Sequence, residues 1–175
     1  KTSSEQFRNW INNGGRLIAL ESAVTQLSKL DWAIKPKKLD DPEKKDSTYM
    51  FVRRYEDRER DFVTGITAGS IYKVELDNTH PLAFGYPNYY YTMKLDDDIY
   101  EFMKDGWNVG IIRKDEPVAG FVGYKLKPKL KDGLLFGVQN IGEGTITYFV
   151  DNVLFRNFWE YGKLMFCNAV FFVGE

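Results

Sequence analysis

The first thirty residues constrain the fold of this chain more than any other stretch. Ser3 or Ser4 can cap a helix whose apolar side chains at 7, 10 and 11 share one face, and glycines 14 and 15 can end it. A short apolar strand follows over 16–20, of the kind that parallel sheets bury on both faces. A sharp turn at 21–23 leads into a second helix with apolar positions 24, 27 and 30. The order helix, strand, sharp turn, helix predicts an α/β protein.

The remainder of the chain is mostly strand-like. Alternating or apolar runs predict strands over 70–76, 89–95, 107–113, 118–124, 134–140 and 144–150, with a hairpin turn at 142–144. Three aspartates at 96–98 predict a short helix over 99–103. Asp151 or Asn152 is expected to cap a final helix with an apolar stripe over 155–170. The second half should therefore add antiparallel strands to the parallel core.

The segment 35–61 differs from its surroundings. Of its 27 residues 17 are charged, nine basic and eight acidic, which indicates a solvated insertion or loop, or else a docking surface for another domain. Residues 48–52 could form a short strand or begin a helix, and 53–61 could be helical with opposite charges three and four apart.

Composition excludes several classes of function. The chain has 175 residues, 24 basic and 25 acidic, so it is expected to be one domain over 1–175 without the basic field that nucleic-acid binding needs. Its one cysteine, Cys167, cannot form an intrachain disulfide and is expected to be a buried apolar group. No run of about 18 apolar residues is present, so no membrane span is predicted.

The polar corner at 77–81 holds the only histidine, His80. Pro81 favours an extended backbone at His80, and Asp77 or Asn78 can form an Asx-turn. The His80 ring could bond a carbonyl and hold the corner together, or it could contact a ligand or partner. Trp107 and Trp159 are expected in the core.

Three groups of residues together resemble a known family. They are the run 13–20 (NGGRLIAL), the run 69–85 with its DNTHPLAFG segment, and the later segments 118–122, 142–145 and 151–156. They resemble the C-terminal, glutamine-amidotransferase-like domain of bacterial zinc carboxypeptidases of the carboxypeptidase A-like family. The resemblance implies a three-layer, flavodoxin-like or class I glutamine-amidotransferase-like fold, here incomplete at the N-terminus because only a helix precedes the strand 16–20.

Neither activity of the family's relatives fits these residues. The peptidase zinc site uses His-x-x-Glu and a second histidine, whereas this chain has a single histidine, and Leu82 comes two residues after it. Active amidotransferases carry a cysteine on the turn after the buried strand, where this chain has Glu21. Ser22 is expected to cap the second helix and Glu21 to complement its positive end. No catalytic or metal-binding residue is therefore predicted.

The resemblance implies a non-catalytic accessory domain of a secreted or periplasmic zinc carboxypeptidase. Zinc and the peptidase domain would then lie upstream of Lys1, and no cofactor would bind this chain. An uncovered sheet edge could pair two copies. One alternative is a small-molecule or glycan-binding module that uses His80, Asp77 and Asn78. Another is a cryptic hydrolase built on Glu21, Ser22 and His80.

Overall fold

The computed structural model describes residues 3–30, 32–38, 52 and 54–174. Its described helices are α1 Ser3–Asn12, α2 Ser22–Ser28, α3 Arg58–Val63, α4 Lys127–Leu130 and α5 Glu160–Phe171. Its described strands are β1 Arg16–Leu20, β2 Thr67–Leu76, β3 Tyr89–Lys94, β4 Trp107–Ile112, β5 Ala119–Val122, β6 Gly133–Ile141 and β7 Gly144–Phe149. Short 3-10 helices lie at Tyr55–Asp57, Pro81–Ala83 and Phe155–Asn157. The predicted 48–52 element falls almost wholly outside these residues.

All seven strands belong to one mixed sheet. The order is β1-β7-β6-β4-β2-β3, and β5 pairs with β2 beside β4. Only β1 and β7 pair in parallel among the described strands, and the other pairs are antiparallel. The predicted α/β class is confirmed in this coarse form, as helices around a curled mixed sheet with a short parallel part.

The curl brings strands that are distant in the sheet order into contact. Tyr90 on β3 lies against Phe136 on β6, with ring centroids 5.4 Å apart, although β4 and β2 separate these strands in the sheet. Trp159 also donates its indole N–H to the Tyr90 hydroxyl at 2.9 Å. The core therefore fills the concave face of the sheet, where large aromatic side chains bury the most area.

Two local predictions are wrong because long-range contacts override short-range signals. Residues 99–103 form no helix. Instead, Tyr100 bridges Leu134 on one side and Pro36 on the other. Asp151 does not cap a helix either, because its carboxylate is buried against Lys94, and α5 begins only at Glu160.

The β1 edge of the sheet has hydrogen-bonded partners on one side only. β1 pairs with β7, and no described strand pairs with its other side. This is the edge at which the sequence predicts a second copy, and that pairing stays a prediction.

Candidate functional site

The antiparallel pairing of β2, β4, β6 and β7 places the predicted corner and several other chain segments at the same end of these strands. The C-terminal end of β2 runs into Asp77 and His80, and its neighbour β4 begins there with Trp107. β6 ends and β7 starts at this same end of the strands, so the hairpin 142–144 lies beside the corner and Trp107. The backbone N–H of Asp77 donates to the Val109 carbonyl at 2.8 Å and fastens the corner to β4.

These segments enclose a cleft of about 500 Å³. We call it the His80 cleft. Its polar side chains come from Asp77, Thr79, His80, Asn140, Glu143 and Thr145, and Trp107, Pro81, Val138 and Phe172 supply apolar surface. Two carboxylates and no lysine or arginine occur among these lining residues, so the lining itself disfavours an anionic ligand. A cation borders the cleft at Arg16, whose Nη2 donates to the carbonyl of the lining Gly174 at 2.7 Å.

Trp107 lines the His80 cleft and does not lie in the core. It was expected in the core, yet it is 57% exposed, and its ring centroid lies 6.1 Å from that of His80. A tryptophan half-exposed beside a histidine presents a flat apolar surface with hydrogen-bonding groups at its margin. The one sequence signal for this exposure was that Trp107 is the first residue of its strand, since the ends of strands often lie in solvent.

The predicted Asx-turn at Asp77 is confirmed. The Asp77 carboxylate accepts the backbone N–H of Thr79 at 3.1 Å and its hydroxyl at 2.5 Å. The Thr79 hydroxyl is the main cause of a lowered pKa of Asp77. The carboxylate is thus ionised and committed to the turn. Asn78 lies at the exposed tip and lines a second recess of about 410 Å³, shared with Phe84 and Phe172.

His80 is held through one ring nitrogen. Its Nδ1 accepts the backbone N–H of Leu82 at 3.0 Å, so the ring caps the 3-10 helix Pro81–Ala83 instead of donating to a carbonyl as predicted. Because Nδ1 accepts, the neutral ring must carry its proton on Nε2. His80 can therefore donate a hydrogen bond through Nε2 but offers no free lone pair for a general base.

This arrangement predicts how His80 titrates. Burial lowers the pKa of His80 below its usual value of 6.5, and Asp77 only partly opposes this effect. Protonation would also place a hydrogen on Nδ1, against the Leu82 N–H. The unfolded chain therefore takes up the proton first, and stability should be lost as the pH falls from about 6.5 to the folded pKa.

Two-dimensional ¹H–¹⁵N NMR of the single imidazole checks this prediction. We expect the Nε2–H form at pH 7 and a pKa below 6.5. A pKa above 6.5, or a neutral ring protonated at Nδ1, would contradict the geometry.

Glu21 and Ser22 lie at the opposite end of the strands from His80. β1 and β7 are parallel, so Glu21 follows the C-terminal end of β1, whereas the cleft lies at the N-terminal end of β7. β7 has six residues at about 3.3 Å each, so the two ends of this strand are roughly 20 Å apart. The structure therefore brings Asp77, Asn78 and His80 together but leaves Glu21 and Ser22 apart, and a pairing of Ser22 with His80 has no geometric support.

Glu21 has an unusual backbone conformation for a residue other than glycine, with φ 48° and ψ −118°. Its carboxylate accepts a hydrogen bond from Asn152 Nδ2 at 3.1 Å. Glu21 occupies the cap position of α2 but makes no side-chain capping hydrogen bond, and Ser22 is already the first helical residue, so the predicted Ser22 cap is wrong. The sharp turn itself is present as expected.

Neither a metal site nor a membrane span is found in the described part of the chain. No group of three histidine, cysteine, aspartate or glutamate residues within it could hold a metal ion. No described helix has the length and apolar character needed to cross a bilayer.

The comparisons with known proteins do not support the expected family. No family model and no curated protein matches the chain. A solved structure that resembles it is a ThuA-like protein from Bacteroides uniformis, with 15% sequence identity and a TM-score of 0.46. That match covers 97% of this chain, which spans 63% of the length of the ThuA-like chain.

The resemblance to the C-terminal domain of zinc carboxypeptidases is therefore wrong. No family model or curated protein supports it, and a solved structure that is similar to this chain is that of a ThuA-like protein. The upstream zinc, the upstream peptidase domain and the secreted or periplasmic location were implied by that resemblance alone, and they lose their support with it.

Proposed function

We propose that this domain is a non-catalytic binding module that takes a neutral, polyhydroxylated ring, such as a sugar unit, in the His80 cleft. The observation that supports this most strongly is the exposed Trp107 ring beside His80 in a cleft of about 500 Å³. Pockets of 300–1,000 Å³ with an apolar surface and a few placed polar groups are typical of small-ligand sites.

The chemistry of the lining matches such a ligand. Trp107 offers an apolar plane for the C–H face of a saturated ring. His80 donates through Nε2, and the Asn140 amide and the Thr145 hydroxyl can each donate or accept. The Glu143 carboxylate can accept from two neighbouring hydroxyls. Hydroxyl groups need both donors and acceptors, and this lining supplies both.

The state of His80 favours binding over catalysis. A general base needs an unprotonated nitrogen facing the substrate, and here the acceptor nitrogen is already bonded to the Leu82 N–H. No hydrogen bond joins Asp77 to the ring, and the Asp77 oxygen Oδ1 instead accepts both hydrogen bonds from Thr79.

We further propose that β1, Glu21 and α2 correspond to the strand–elbow–helix unit of glutamine-amidotransferase-like folds. The support is the backbone of Glu21, which lies outside the usual regions at the junction of a parallel strand and a helix. In this proposal a glutamate occupies the place of a nucleophile, and the unit has lost its chemistry.

Substitution at Trp107 tests the binding function. Against a panel of neutral mono- and disaccharides followed by isothermal titration calorimetry, Trp107→Ala should weaken binding by about tenfold or more, equivalent to about 1.4 kcal/mol. Trp107→Phe retains a ring and should lose less. Tyr124→Ala, at another exposed ring away from the cleft, should bind like the unaltered protein.

Substitution at His80 separates the ligand contact from the structural contact. His80→Asn keeps an acceptor for the Leu82 N–H, since asparagine is a good cap, but removes the Nε2 donor. We expect His80→Asn to bind the saccharide more weakly and to have a nearly unchanged melting temperature. The proposal fails if no saccharide of the panel binds, or if binding is indifferent to both Trp107→Ala and His80→Asn.

A further inference from the structure

From Leu164 onward, helix α5 carries apolar side chains on both of its faces, but the described chain covers only one of these faces. Met165, Asn168 and Ala169 face inward and are buried. On the outward face lie Leu164, Cys167, Val170 and Phe171. Cys167, which the sequence predicts to be a buried apolar group, is exposed, so that prediction is wrong. A helix that is apolar all round is normally buried on all sides.

Two exposed phenylalanines lie beside the C-terminal end of α5. The rings of Phe84 and Phe172 meet edge to face, with centroids 5.5 Å apart, and Asn168 Nδ2 bonds the Phe84 carbonyl at 2.8 Å. We define the α5 patch as the following six residues: Phe84, Leu164, Cys167, Val170, Phe171 and Phe172. Its five larger side chains are between 41% and 64% exposed.

The α5 patch carries no ionisable group other than the Cys167 thiol. The nearest charges on the helix, Glu160 and Lys163, border the patch one turn before Leu164 and Cys167, and they pair with each other at 2.6 Å. A surface without charge is best matched by another without charge, because a charged partner would lose hydration there with no compensating contact. A second copy of the same patch meets this condition.

We infer that two copies of this chain associate through the α5 patch, with their α5 helices antiparallel about a twofold axis near Cys167. Such an interface is isologous, so each contact occurs twice. Cys167 lies midway between Leu164 and Val170, so the twofold axis places Leu164 of one copy opposite Val170 of the other and the two Cys167 side chains near each other.

The size of the patch is sufficient for such a dimer. With about 200 Å² for a large side chain, the exposed fractions leave about 500 Å² of apolar surface per copy. Two copies would bury about 1,000 Å² from these side chains alone, which is roughly the smallest area of a specific interface, and the flanking residues add to it.

Analytical ultracentrifugation over a range of concentrations tests the association. The unaltered protein should sediment as a dimer at tens of micromolar, and Leu164→Asp should shift it to monomer, because it buries one uncompensated charge in each half of the interface, opposite Val170. Phe62→Asp, at an exposed apolar residue of α3, is the matched control and should leave the dimer intact. A monomeric unaltered protein, or a dimer that survives Leu164→Asp, overturns the inference.

Cross-linking at Cys167 tests the geometry, since no other cysteine exists in the sequence. A short bis-maleimide should convert the unaltered dimer into a covalent dimer, and Cys167→Ser should abolish the product while still sedimenting as a dimer. A dimer that forms without any cross-link would show that another surface pairs, and would equally overturn the proposed axis.

Discussion

Replacing Asp151 by alanine should lower the free energy of unfolding by about 3–5 kcal/mol, the range observed when one partner of a buried ion pair is removed. Lys94 and Asp151 are both almost completely buried, and Lys94 Nζ donates to Asp151 Oδ1 at 2.8 Å. The Thr92 hydroxyl donates to Oδ2 of the same carboxylate at 2.6 Å. The pair joins β3 to the end of β7, across the concave face of the curled sheet.

The cost arises from the ammonium group that is left behind. Burial by itself would lower the pKa of Lys94, but Asp151 and Asp96 outweigh that effect, so the pKa is raised and the lysine is charged. Without Asp151, the half-exposed Asp96 at 2.8 Å is its remaining carboxylate partner, which places the expected loss nearer 3 kcal/mol than 5.

Urea denaturation of Asp151→Ala measures this loss. The double variant Lys94→Met with Asp151→Leu removes both charges and keeps apolar volume, so it should be more stable than Asp151→Ala alone. A loss below 1 kcal/mol for Asp151→Ala would show that the pair does not hold β3 in place.

Strand positions could be predicted from the sequence because they depend on local alternation. The predicted strand 89–95 corresponds to β3 Tyr89–Lys94, and 107–113 corresponds to β4 Trp107–Ile112. Pairing and curl depend instead on contacts between distant residues. The Lys94–Asp151 pair joins residues 57 apart, and neither residue's neighbours predict that its charge is buried.

The candidate site was predictable only where it depends on local sequence patterns. The corner at Asp77 and His80 is a local pattern of turn-forming residues, and the structure retains it. Trp107 joins it only because β4 pairs with β2 in an antiparallel register, which periodicity does not specify. Glu21 and Ser22 were grouped with His80 because together they could form a hydrolase site, but the direction of β1 places them at the other end of the strands.

The second large effect is expected at Asn168, the one polar amide within the apolar run 164–173. It is fully buried in α5, and its Nδ2 donates to the carbonyls of Leu82 and Phe84 at 3.0 and 2.8 Å. Its Oδ1 has no hydrogen-bond partner among the described residues. The side chain is therefore needed as a double donor, and it ties α5 to the corner that carries His80.

Asn168→Ala should lower the free energy of unfolding by about 2–4 kcal/mol, because two carbonyl groups lose a donor that water cannot easily replace. It should also weaken saccharide binding, since the segment from His80 to Phe84 is no longer fixed to α5.

Asn168→Asp separates hydrogen bonding from volume. This variant has nearly the same shape, but its ionised form has no donor and faces two carbonyl oxygens. In its protonated form it can still donate one hydrogen bond. The folded state then holds its proton more tightly than the unfolded state, so the stability of Asn168→Asp should fall as the pH rises above about 3.9.

Urea denaturation of both variants between pH 4 and pH 7 provides the measurement. At pH 7 Asn168→Asp should be the less stable of the two, although it creates no cavity. If Asn168→Asp proves as stable as the unaltered protein at pH 7, the two carbonyls do not depend on this amide, and the His80 corner must be held by its own turn alone.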